Sequence, residues 1–254
     1  VKKIIFITGA TSGFGKAIAE IFAKNGNHLI ITGRRNELLL ELKKNLENTY
    51  NNKILTLCFD VRNKQEVARN INELPEQWKA IDVLVNNAGL ASGLDKIQNG
   101  NISDWEKMID TNIKGLLYIS KEIMPLMINK KSGHIINIGS TAGKEVYEKG
   151  NVYCATKHAV DAISKGMRVD LLEHGIKVTQ ICPGAAETEF SIVRFNGDIE
   201  KAKQVYNGYQ PLTADNVAEV VYFVSALPEH VCINDLVITS TAQANSTSIL
   251  RKYE

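Results

Sequence analysis

Short apolar runs rich in β-branched residues alternate with longer amphipathic stretches along nearly the whole chain, and this alternation restricts the fold more than any other feature. The apolar runs read as strands over 3–8, 28–32, 53–59, 81–85, 133–139, 176–182 and 235–239. Between them the helical spacing predicts helices over 14–25, 36–47, 63–73, 103–130, 150–173 and 213–226. A helix between successive strands makes βαβ units, whose strands run parallel. Leu29-Ile30-Ile31 and Val83-Leu84-Val85 lack polar alternation, as strands covered on both faces do. The expectation is an α/β fold: one domain over 1–254, built on a doubly wound parallel sheet. Only 184–212 breaks the pattern. It reads as a long irregular connection whose Phe190, Ile192, Val193 and Phe195 suit either a small apolar lid or a surface insertion.

Composition removes several classes of function. The 30 Lys and Arg nearly balance the 28 Asp and Glu, and they are dispersed, so no nucleic-acid partner is expected. The longest apolar runs, such as Val220–Val224, fall far short of a membrane span. Four apolar residues after Lys2 and Lys3 are too few for a signal peptide, so a cytoplasmic protein with no membrane partner is expected. The four cysteines and five histidines form no ligand-spaced cluster. No metal is implied, and the cysteines read as reduced and mostly buried.

The segment between the first strand and first helix, Thr8-Gly9-Ala10-Thr11-Ser12-Gly13-Phe14-Gly15, carries the first chemistry. Glycines let the backbone turn tightly against a phosphate, and the helix start presents free N–H groups. With the strand–turn–helix context, this makes the sheet a Rossmann-type nucleotide site. A carboxylate binding the ribose 2′-hydroxyl is common about twenty residues later. Here Gly33 stands there, followed by Arg34 and Arg35. A guanidinium fork binds a 2′-phosphate where a carboxylate would repel it, which favours NADP over NAD. Asp60-Val61 and Asn86-Asn87-Ala88-Gly89 end the third and fourth strands, on the edge where such sheets bind ligands.

Tyr153 and Lys157 lie four apart in a helical stretch, on one face. An ammonium beside the phenol would lower its pKa toward the working range of a general acid/base. With eight tyrosines in the chain one such pair is near chance, so context must give it meaning. Ser140 ends the fifth strand, and Asn112 places an amide inside the long helix 103–130.

Together these segments resemble the short-chain dehydrogenase/reductase family from Lys3 to about Leu236. The resemblance implies a catalytic tetrad of Asn112, Ser140, Tyr153 and Lys157. It also implies cofactor contacts from Gly9, Thr11, Ser12, Gly13, Phe14, Gly15, Arg34, Arg35, Asp60, Val61, Asn87, Ala88, Gly89, Tyr153, Lys157, Pro183, Gly184 and Thr188. Thr32–Arg35, Asp104–Asn112, Asn137–Gly143 and Thr188–Phe195 are more similar to the NADP-dependent 3-hydroxy acid dehydrogenases of that family. That subgroup implies reversible hydride transfer between NADP(H) and L-serine, L-allo-threonine or 3-hydroxypropionate, with malonic semialdehyde in the reductive direction. Ala185-Ala186 departs from it, where related sequences carry larger aliphatic residues. The substrate would meet Ser140 and Tyr153, and its carboxylate needs a cation, for which Arg194 is the candidate. Alternatives are a reductase of 3-oxoacyl thioesters or sugars, and a non-catalytic NADP-binding sensor. The resemblance further implies a homotetramer joined through helices 103–130 and 150–173. The polar segment 239–254 reads as a subunit-crossing arm or a frayed end.

Overall fold

Alternate residues of each central strand leave for opposite faces, and both faces are buried. The computed structural model describes residues 2–195 and 197–252. Its sheet contains β1 (Ile4–Ile7), β2 (His28–Gly33), β3 (Ile54–Cys58), β4 (Val83–Asn86), β5 (Gly133–Ile138), β6 (Ile176–Pro183) and β7 (Asp235–Ile238). They lie in the order β3-β2-β1-β4-β5-β6-β7, and each neighbouring pair is parallel. Ile5 and Ile7 of β1 join Leu29, Ile31, Val83 and Val85 in one apolar layer. It is covered by α1 (Gly13–Lys24), α2 (Asn36–Thr49) and α9 (Ala214–Ala226). Phe6, Ile30, Leu84 and Ile135 enter the opposite layer, under α3 (Lys64–Asn72), α5 (Leu116–Lys130) and α6 (Asn151–Asp170). Burying each such side chain contributes roughly 1.5–3 kcal/mol. The chain winds one way from β1 to β3 and the other way from β4, so a crevice opens where β1 and β4 end side by side.

The chain is helical throughout 103–130, though not uniformly α-helical. α4 (Ile102–Ile109) passes into a π-helical turn at Asp110–Gly115 before α5 begins. Within that turn the Asn112 side chain bonds outside its own helix, to both backbone groups of Leu90. Amphipathic periodicity continues through the turn, so spacing does not reveal it. Helix 150–173 ends at Asp170, followed by a 3₁₀ turn at Leu172–His174.

The connection 184–212 is not wholly irregular. It forms α7 (Glu189–Arg194), capped by the Thr188 side chain, and α8 (Ile199–Gln204), capped by Asp198. The segment after β7 folds back over its own chain as far as Lys252. The Gln243 side-chain Oε1 accepts from Ala185 N at 2.8 Å, and Arg251 donates to Val205 O at 3.0 Å. Cys154 and Cys182 are buried, whereas Cys58, at the end of β3, is exposed. Among the described residues no helix is long and apolar enough to cross a membrane.

Candidate active site

A cavity of about 500 Å³ opens along the carboxyl ends of the strands and runs from Arg34 and Asp60, past the glycine loop, to Tyr153 and Arg194. Every residue expected at the site lines it except Gly15 and Asn112, which lie behind its wall. Gly9 holds the loop in the left-handed region, at φ +68°, and a Cβ there would meet Ala88 Cα at 3.0 Å. Gly15 works by packing rather than by contact with a ligand: a Cβ there would stand 2.2 Å from Gly9 O. Only a hydrogen lets α1 start so close beneath the loop. Ser12 stands at the N-cap of α1 without a side-chain cap bond, and no acidic residue occupies the first turn. The unsatisfied N–H groups and positive dipole end therefore face the cavity, as a pyrophosphate requires. Thr8 ties the loop to β4, its hydroxyl accepting from Asn87 N at 3.0 Å and Ala88 N at 2.9 Å.

The adenosine end is positively charged. Burial alone would raise the Asp60 carboxyl, but hydrogen bonds and charge from Arg62 hold it below its usual value. Arg62 Nη2 lies 2.6 Å from that carboxylate and largely neutralises it, while Arg34 stands 3.8 Å away. Arg35 donates to the Thr11 hydroxyl and pairs with Glu189 at 3.1 Å. A glycine cradle, an uncapped helix start and two arginines beside Gly33 fit a dinucleotide carrying a 2′-phosphate.

At the other end, Ser140 follows β5, and Tyr153 and Lys157 project from one face of α6. All three line the cavity. Lys157 Nζ donates to Ile138 O at 2.9 Å and lies 6.0 Å from the Tyr153 ring centroid. Burial pushes the lysine down to about 8. The phenol departs from the expectation of a lowered pKa. Burial raises it above the ordinary tyrosine value and Tyr147 adds to this, while the Ser140 hydroxyl and Arg194 oppose the rise. Desolvation of the buried phenol is the largest of these effects. Asn112 Oδ1 accepts from Leu90 N, and its Nδ2 donates to Leu90 O and Thr156 Oγ1, at 2.8, 2.8 and 3.0 Å. A Cβ on Gly89 would lie 3.3 Å from Asn112 Oδ1 and 3.7 Å from Lys157 Nζ, so both polar atoms flank the same point.

Arg194, the last residue of α7, completes this end. Its guanidinium lies 5.8 Å from the Tyr153 ring and 5.5 Å from that of Tyr147. Its Nε and one Nη are buried without a hydrogen-bond partner among the described residues. A buried donor in that condition costs about 1–3 kcal/mol until an acceptor arrives, so the site is suited to a small anion. Sequence reasoning did not find Tyr147, Glu189 or Gln243, which also line the cavity. Phe190, which the sequence places in a lid or a surface insertion, has its ring 5.6 Å from that of Tyr153. The one available signal for Tyr147 was its place between Ser140 and Tyr153. Gln243 had none, because its role depends on the chain folding back.

The family model for short chain dehydrogenases matches residues 3–198. The NADP-dependent 3-hydroxy acid dehydrogenase YdfG of Salmonella typhi is 47% identical over 242 residues, covering 95% of this chain and 96% of its own. Sulfoacetaldehyde reductase 2 of Chromohalobacter salexigens is 43% identical, with 95% of each chain covered. Among solved structures, the closed form of serine dehydrogenase complexed with NADP+ superposes with a TM-score of 0.91 at 45% identity. It covers 98% of this chain and 100% of that one.

Proposed function

The chain belongs to the short chain dehydrogenase family, and from that membership we propose that it is an NADP-dependent oxidoreductase acting on short 3-hydroxy acids. L-serine, L-allo-threonine and 3-hydroxypropionate are the alcohols, with malonic semialdehyde reduced in the opposite direction. One observation carries the substrate class: a guanidinium with buried, unpartnered nitrogens beside the proton-donating phenol. It suits a substrate whose acidic group lies a short reach from the reacting carbon. Carbonyl substrates without an acidic group, such as sugars, would leave those nitrogens unsatisfied.

When bound, the nicotinamide supplies hydride exchange with the carbinol carbon. Gly9, Thr11, Ser12, Gly13 and Phe14 hold the pyrophosphate, Arg34 and Arg35 the 2′-phosphate, and Asp60 and Val61 the adenine. Asn87, Ala88, Gly89, Pro183, Gly184 and Thr188 line the remaining length of the cofactor. Tyr153 Oη takes the alcohol proton in oxidation and returns it in reduction. Ser140 Oγ holds the substrate oxygen against that phenol, and Arg194 binds the carboxylate. Lys157 charge favours the phenolate, and Asn112 holds a water that connects Lys157 to solvent. Segment 184–212 is the lid, with α7 as its working face. A homotetrameric, cytoplasmic enzyme is part of the same reading.

Initial rates with L-serine and 3-hydroxypropionate, each with NADP and then NAD, test this reading. NADP-dependent oxidation is expected, and Tyr153→Phe should abolish it while NADPH binding persists. Faster turnover with NAD would overturn the cofactor assignment. Failure to oxidise either acid, with NADPH still bound, would overturn the substrate assignment. A Tyr153→Phe enzyme working near the parent rate would remove the phenol from the mechanism.

A further inference from the structure

Arg35 has a partner that phosphate recognition alone does not require. Its Nε and Nη2 converge on the Thr11 hydroxyl at 3.2 and 2.9 Å, while Nη1 reaches Glu189 at 3.1 Å. Glu189 begins α7, and Thr188, just before it, lies against the glycine loop, where a Cβ on Gly13 would meet it at 3.5 Å. One guanidinium therefore joins the end of β2, the glycine loop and the root of α7. The same short helix carries Phe190 and Arg194 to the Tyr153 ring. Arg62 occupies Asp60, so Glu189 is the acidic side chain in contact with Arg35 among the described residues.

Both members of this pair are about half exposed, so the ion pair adds little to stability. Its consequence is geometric. A long, half-solvated arginine has many rotamers, and fixing its fork in advance lowers the entropy lost when an anion binds.

We propose that Glu189 is a positioning residue for cofactor selection: it holds Arg35 against the glycine loop, ready for the 2′-phosphate. The inference rests on the NADP reading above. A carboxylate that merely neutralised Arg35 would act in the opposite sense, competing with the phosphate. The sign of one substitution separates the two.

The test is direct binding of NADPH and NADH, by calorimetry at low ionic strength, to wild-type protein, Glu189→Gln, Arg35→Ala and the double variant. Glu189→Gln should weaken NADPH binding about three- to fivefold, as befits a half-exposed ion pair. NADH, which lacks the phosphate, should shift by less than about 1.5-fold, within the scatter of surface substitutions. In the Arg35→Ala background the glutamate change should have no further effect. Unchanged or tighter NADPH binding overturns the proposal, as does an equal loss for both cofactors. If wild-type protein bound NADH as tightly as NADPH, the NADP reading itself would fail. Intact wild-type selectivity that ignores Glu189→Gln would overturn the positioning role alone.

Discussion

Arg194 and Lys157 are both cationic residues at the substrate end, yet their surroundings prepare them for different work. Arg194 keeps two buried nitrogens without acceptors among the described residues. Replacing it with alanine should raise KM for 3-hydroxypropionate roughly 10- to 100-fold, the worth of one charge-assisted contact. KM for a neutral short alcohol should hardly move. Equal KM changes for acid and alcohol would assign Arg194 a packing role beside Tyr147. Lys157 instead has a fixed acceptor, Ile138 O, and burial brings it to about 8. It therefore titrates close to neutral pH. Tyr153 shows why a Tyr–Lys spacing is an incomplete description of an acid/base pair: burial raises the phenol, and the cations must overcome that cost.

The informative element is the π-helical turn at Asp110–Gly115, which carries Asn112 with its side chain bonded to Leu90 across the site. Asn112→Ala would strand Leu90 N–H and C=O in a buried setting and remove the bond to Thr156. A loss of about 2–4 kcal/mol in unfolding free energy is expected, measured by urea denaturation, together with a fall in kcat. Stability within about 0.5 kcal/mol of the parent would show that the turn does not depend on the amide. The same logic applies to α1, whose uncapped start is costly in a free helix but useful when an anion is bound.

For the whole molecule, the sheet that positions the site also carries a buried titrating group. His134 of β5 is held against Thr179 of β6, with Nε2 and Oγ1 2.7 Å apart, and burial lowers its pKa to about 3. Between about pH 6.5 and 3 the unfolded chain binds a proton there that the folded protein refuses. This contribution to stability is therefore complete above pH 6.5 and is lost as pH falls, at up to ~1.4 kcal/mol per pH unit. Urea midpoints at pH 7.5 and 4.5 should separate for the parent, and His134→Gln should reduce the separation. An unchanged pH slope in that variant would place the acid sensitivity elsewhere.

Local pattern by itself determined the strands, most of the helices, the glycine loop, the paired arginines and the Tyr–Lys face. Each follows from side-chain periodicity or from backbone demands within a few residues. Resemblance then joined Ser140, Asn112, Pro183, Gly184 and Thr188 to that site. Tertiary structure decided what depends on partners distant in the chain. Asn112 came to bond Leu90 from within a π turn, and Gly15 became a packing residue through Gly9. The segment after β7 became a wall of the cavity through Gln243 and Ala185. Arg194 and Arg35 acquired their surroundings only when α7 was laid across the ends of the sheet. Periodicity reports which face of an element is buried. The identity of the atoms waiting on the other side depends on how the whole chain is wound.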